Sequence, residues 1–185
     1  TYSVTDNQAT ITGYSGDDTE VVIPAELDGM AVVKVGDEAF KDNTSVTSIT
    51  IPDSVTSIGD FAFFSCTSLT NVTIGNSVTS IGHSAFYNCG FLSITIPDSV
   101  TSIGTYAFNA CSSLTSITIP DGVTSIGRDT FYECTSLTSV TLPDSVTSIG
   151  EAAFKYCSSL TNITIPDSVT SIGDNAFYSC TNLTS

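Results

Sequence analysis

Six cysteines, Cys66, Cys89, Cys111, Cys134, Cys157 and Cys180, each stand three residues after a phenylalanine. An even count of thiols invites disulfides, and thiols can also bind zinc or act as nucleophiles. One Cys every 22 or 23 residues makes a line, however, not a tetrahedral set, and the single histidine, His83, is out of phase with it. No Ser-His-Asp or Cys-His arrangement is placed near His83, so catalysis is not expected. The position of His83, directly after Gly82, is filled in other copies by Asp60, Thr105, Arg128, Glu151 and Asp174, a variety that predicts a solvated site. Each Cys is in phase with apolar Phe and Leu, which predicts a ladder of buried, reduced thiols, with neighbouring Cα atoms in disulfide range but their approach set by backbone pitch.

The oxygen-bearing side chains form rows of their own. Asp53, Asp98, Asp121, Asp144 and Asp167 fall at one corner of the repeat, interrupted once by Asn76. Such a row could hold calcium between carboxylates, but the Gly-x-Asp loops of calcium-binding solenoids are missing, which favours turn-capping aspartates screened by water and salt. A second row pairs Ser, Asn and Thr on the outward side of a strand, with Thr73, Thr95, Thr118, Thr141 and Thr164 at its regular positions. Read alone, this flat polar face keeps a sheet soluble; read as the exposed face of a solenoid, it is a binding surface. It matches the Thr-x-Thr ladders of ice-binding proteins only in part. Aromatic residues outside the core phase, Phe64, Tyr87, Tyr132 and Tyr178 directly after the core Phe, with Phe61, Tyr106 and Tyr156 nearby, suit protein contacts. Asn43, Asn71, Asn162 and Asn182 begin N-x-Ser/Thr acceptor sequences.

Four basic residues stand against 19 acidic ones, for a net charge of −15. A phosphate backbone or an anionic membrane surface requires a basic stripe, so nucleic acid is excluded as a partner. No apolar run approaches the roughly 20 residues of a membrane-spanning helix. Only 12% of the 185 residues are charged, so the surface is made largely of Ser, Thr and Asn.

These residues are positioned by a repeat. Phe40, Phe63, Phe86, Phe108, Phe131, Phe154 and Phe177 recur at intervals of 23, except for one of 22. The short interval is read as a residue lost between Leu92 and Ile94, where LTNVTI becomes LSITI. The unit I-P-D-S-V-T-S-I-G-x-x-A-F-x-x-C-x-x-L-T-x-I-T predicts a strand, with Leu69, Val72 and Ile74 inward, then a Pro-Asp corner, a second short extended piece and about one helical turn capped by Asp60. A single unit cannot bury its own apolar face, whereas stacked units share one core.

Three parts follow from this period. Residues 1–22 read as a capping hairpin around TDNQ, and residues 23–50 as a degenerate first repeat with five extra residues, in which Asn43 stands at the Cys position. Residues 51–185 hold five full repeats and one truncated repeat of the same solenoid. The start at Thr1 without Met and the break-off in CTNLTS predict a segment of a longer protein, and an uncapped last repeat predicts end-to-end self-association.

The combination of L-x-x-I-x-I-P, S-V-T-x-I-G and A-F-x-x-C in about 23 residues resembles the BspA-type (Treponema pallidum-type) leucine-rich repeat, over positions from Ile23 to Leu183. Departures are Thr130 for Ala, IGNSV for IPDSV at Ile74 to Val78, and the short repeat. The resemblance implies a right-handed, curved solenoid of parallel strands on secreted or surface-anchored proteins. It also implies an adhesin-like, non-enzymatic module without cofactor that binds an extracellular protein or glycan. A structural spacer without its own ligand is the alternative, favoured by how little the copies differ.

Overall fold

In a computed structural model, described for residues 1–184, the chain is a parallel β-solenoid of about seven turns. Its strands are β1 (Tyr2–Thr5), β2 (Gln8–Ile11), β3 (Glu20–Val22), β4 (Glu26–Leu27), β5 (Met30–Val35), β6 (Ser48–Thr50), β7 (Ser57–Ile58) and β8 (Asn71–Thr73). They continue as β9 (Ser80–Ile81), β10 (Ser102–Ile103), β11 (Ser116–Thr118), β12 (Ser125–Ile126), β13 (Ser139–Thr141), β14 (Ser148–Ile149), β15 (Asn162–Ile163) and β16 (Ser171–Ile172). The amino end is closed by the predicted hairpin: β1 and β2 are antiparallel around Asp6 and Asn7, both with positive φ, and β2 lies parallel on β5. Tyr14 stacks on Phe40 with ring centroids 5.3 Å apart, covering the first core ring. The five extra residues form a second hairpin, β4 with β5, turning at Asp28 and Gly29 with φ of 50° and 79°.

The core is a set of one-residue columns. Phe63, Phe86, Phe108, Phe131 and Phe154 are fully buried, and neighbouring rings stack 5.2–5.7 Å apart with interplanar angles of 4–9°. Beside them, each thiol donates to the carbonyl of the Phe one rung back, as Cys111 Sγ does to Phe86 O at 3.0 Å and Cys134 Sγ to Phe108 O at 3.1 Å. A column of threonines closes the rungs on the outside: Thr138 Oγ1 donates to Thr115 O and Thr161 Oγ1 to Thr138 O.

The predicted helical turn is absent. After each Gly the chain makes two consecutive turns, with positive φ two residues past the Gly and two past the Phe, as at Phe61 (56°) and Ser65 (55°) or Tyr106 (61°) and Ala110 (58°). A helix would close its hydrogen bonds on itself. Here alternate N–H groups reach the next rung, Phe61 N to His83 O, Phe63 N to Ala85 O and Ser65 N to Tyr87 O, while the others close locally, Phe64 N to Phe61 O and Cys66 N to Phe63 O. Asp60 is accordingly no helix cap: its Oδ1 accepts from His83 N of the next rung at 2.8 Å. Nor is the Pro-Asp corner capped by its aspartate. Val55 N closes it on Pro52 O, and Asp53 Oδ1 accepts from Asn76 N one rung on.

Three ladders therefore join the rungs, and they differ in continuity. The sheet that the resemblance to leucine-rich repeats makes the concave one runs β3-β6-β8 and then β11-β13-β15, with a gap between. The second sheet stops at β10 and resumes at β12. The turn ladder, three bonds per pair of rungs, runs unbroken from Glu38 N→Asp60 O to Tyr156 N→Tyr178 O.

The concave gap traces to the short repeat, though the lost residue is not where the sequence pattern suggests. Phe91 is fully buried in the place of Leu69, and Leu92 is 64% exposed in the Thr column, where Thr115 N and Oγ1 both donate to Leu92 O. The residue is missing between Cys89 and Phe91. Gly90 alone bridges them, and a Cβ there would lie 2.3 Å from Thr67 O. Aligning on Leu conceals this, because the larger Phe91 wins the core site by packing edge-on against Phe86 and Phe108.

Candidate functional site

The thiol ladder is structural. All six cysteines are free and buried, and burial pushes the Cys66 and Cys111 thiols up to about 12, with Cys89, Cys134 and Cys157 raised in the same direction. A protonated, hydrogen-bonded thiol is neither a nucleophile nor a metal ligand. The corner aspartates Asp53, Asp98, Asp121, Asp144 and Asp167 are exposed, and among the described residues no group of three or more His, Cys, Asp or Glu is placed to hold a metal.

Thr73, Thr95, Thr118, Thr141 and Thr164 are all exposed on the concave side. They do not form the regular array that the repeat suggests. Only the bridge Ser93↔Ser116 ties the short rung to β11, and the row opens around Thr95 into two clefts of about 310 and 370 Å³.

The turn face carries the aromatic residues, and the unbroken ladder beneath gathers them into two clusters. In the first, Phe64 stacks on Tyr87 at 4.5 Å and 10°, while His83 is wedged edge-on between Phe61 at 5.0 Å and Tyr106 at 5.4 Å. His83 is thus half-buried rather than solvated, with Nδ1 hydrogen-bonded to Thr105 Oγ1 at 2.7 Å. Asp129 beside Tyr106 raises the phenol above its usual range, and the largely buried Asp129 accepts from Arg128 Nε at 3.0 Å. The pairing of Tyr106 with Asp129 spans the rungs where the second sheet is interrupted.

The second cluster is Tyr132, Tyr156 and Tyr178, edge-to-face at 5.4 and 5.9 Å. Lys155 Nζ stands over all three rings, 5.8, 5.2 and 5.3 Å from their centroids. Tyr132 and Tyr156 line a cleft of about 510 Å³ with Glu133, Ser158 and Ser179. Of the sequence candidates, Phe64, Tyr87, Tyr106 and Tyr132 are half-buried by their mutual contacts and Tyr178 is 54% exposed. The structure thus brings Phe64 to Tyr87 and Tyr132, through Tyr156, to Tyr178. The contribution of Lys155, set among aromatic residues that the sequence already marks, was the missed feature. Its sequence signal was faint: Lys and Tyr sit at columns otherwise held by a mixture of residue types, and only the rung spacing shows that they meet.

The BspA type leucine rich repeat region family matches residues 33–134 and 110–185, with six copies. This chain belongs to that family. Its fold is shared with a leucine-rich repeat protein of Treponema pallidum, at 33% identity and a TM-score of 0.96 over all of this chain and 88% of the other. A leucine rich cell surface protein of Faecalibacterium prausnitzii is 44% identical with a TM-score of 0.87, and a leucine-rich repeat protein of Bacteroides ovatus 31% identical with 0.72. This BspA-type chain spans 51% and 55% of those two structures. No curated protein matches it.

Proposed function

We propose that this BspA-type chain is a non-enzymatic recognition module of a bacterial cell surface, adhesin-like, which holds an extracellular protein or glycan on its turn face. One observation carries the reading: the aromatic residues that vary between rungs meet in contiguous clusters on the one ladder that is continuous. Half-buried Tyr and Phe on a rigid support give large contact area at little entropic cost. The surface location is supported by the F. prausnitzii relative, a leucine rich cell surface protein. A screen of the purified chain against immobilised extracellular proteins and glycans tests it. Saturable retention, lost in a folded Tyr132→Ala/Tyr156→Ala variant, is expected; retention indifferent to that change would sink the reading.

The spacer reading is favoured by the uniform Ser, Thr and Asn on the concave strands. It predicts no saturable ligand at all. Separately, among the described residues β16 pairs with β14 alone and its own Ile172 is 51% exposed, which supports end-to-end self-association through that edge. Sedimentation velocity should show a concentration-dependent shift, and a monomer at all concentrations would contradict it.

A further inference from the structure

We infer that the cleft lined by Tyr132 and Tyr156 takes a sugar bearing a single carboxylate, with Lys155, whose ammonium lies beside the cleft over the rings of Tyr132, Tyr156 and Tyr178, as the group that reads the charge; this rests on the turn face being the recognition surface. Four cations are present, and three are committed to carboxylates: Lys34 to Asp37 at 3.1 Å, Lys41 to Glu38 at 2.8 Å, and Arg128 to Asp129 and Glu151 at 3.0 and 3.5 Å. Among the described residues Lys155 has no carboxylate partner, in a chain with 19 acidic side chains. Its ammonium is held instead over three tyrosine rings at 5.2–5.8 Å. That contact fixes the position of the charge without neutralising it, so an anion arriving over the rings meets an uncompensated cation.

The walls decide between ligand classes. Beside the rings lie four hydroxyls, from Thr135, Ser158, Ser179 and Thr181, matching a ligand with many hydroxyls of its own and an apolar ring face. At about 510 Å³ the cleft is within the usual 300–1,000 Å³ range of small-ligand sites. An acidic peptide is the poorer fit. It brings several negative charges to a chain of net charge −15, with Glu133 on the cleft wall and one cation to receive them. A sugar with one carboxylate places that charge on Lys155 and its hydroxyls on the rest.

Calorimetric titration of the 185-residue chain with sialyllactose and with glucuronosyl-glucose, against lactose and cellobiose as neutral counterparts and an Asp/Glu-rich hexapeptide, tests the proposal. A carboxylated sugar should bind saturably, at least tenfold more tightly than its neutral counterpart. Lys155→Met, which keeps the aliphatic stem over the rings, should reduce it to the neutral level while the melting temperature is unchanged. Failure of both carboxylated sugars to bind the folded chain, equal binding by Lys155→Met, or preference for the peptide would overturn the proposal. The two readings fail separately. Tyr132- and Tyr156-dependent retention in the screen without acidic-sugar binding removes only the ligand class, whereas absence of any tyrosine-dependent retention removes the recognition surface as well.

Discussion

The turn face and the concave sheet are built on one 23-residue period, yet they differ in both backbone and cargo. The concave sheet carries nearly the same small polar residues on every rung and is interrupted at the short rung. The turn face carries different residues on different rungs and its ladder never breaks. Continuity is the reason it tolerates variety. Three main-chain bonds per rung pair hold the turn whatever the side chains are, so left-handed positions accept Phe61, Asp129 or Ala152 alike. Non-Gly residues at such φ are uncommon and cost roughly 1 kcal/mol or more each. Their presence on every rung makes them architecture, and the aromatic clusters are what individual rungs add to it.

Alkali should break the turn side hardest. The unfolded thiols ionise from about pH 9, while the buried ones, exemplified by Cys66 and Cys111, stay protonated to about 12. Above pH 9 the unfolded chain therefore holds fewer protons than the folded one, and stability falls as pH rises through this window. At pH 10 the loss is on the order of 1 kcal/mol for each of Cys66 and Cys111, and burial raises Cys89, Cys134 and Cys157 in the same direction, so their losses add to it. Denaturant midpoints between pH 7 and 10.5, compared with a Cys111→Ala/Cys134→Ala variant, measure it. The variant should show a shallower pH slope, and an equal slope would remove the thiols from the account.

Phe108→Ala removes the central ring of the stack and should cost about 3–5 kcal/mol by denaturant unfolding. Gly90→Ala probes the concave gap instead. A methyl 2.3 Å from Thr67 O forces two rungs apart, with an expected loss of about 1–3 kcal/mol. Wild-type stability in that variant would mean that the short rung is looser than its packing indicates. Smallest of all, Thr118→Ala and Thr141→Ala on the exposed concave row should stay within about 0.5 kcal/mol of wild type by thermal melting.

Much of this was legible in the sequence because stacked repeats turn period into contact. The Phe and Cys columns, the hairpin around TDNQ and the inward Leu69 and Ile74 could all be read from spacing alone. Where the reading failed, hydrogen bonds between rungs had replaced local ones. Phe63, Cys66 and Leu69, three apart, imitate a helical turn, but only the stack reveals that alternate N–H groups leave for the next rung. Matching letters at Leu92 hid the shift that buries Phe91. The site was half legible: the aromatic residues were visible, but a cation such as Lys155 has no assigned partner until its neighbours from adjoining rungs are in place.

The most direct test sets the two faces against each other on whatever ligand the screen retains. Binding constants would be measured for Tyr132→Ala/Tyr156→Ala and for Thr118→Ala/Thr141→Ala, each with its melting temperature. Loss of at least tenfold in affinity for the tyrosine pair, with the threonine pair at wild-type affinity and both folded, is the expected result. Retained binding by the tyrosine pair with loss in the threonine pair would place recognition on the concave sheet and contradict the account.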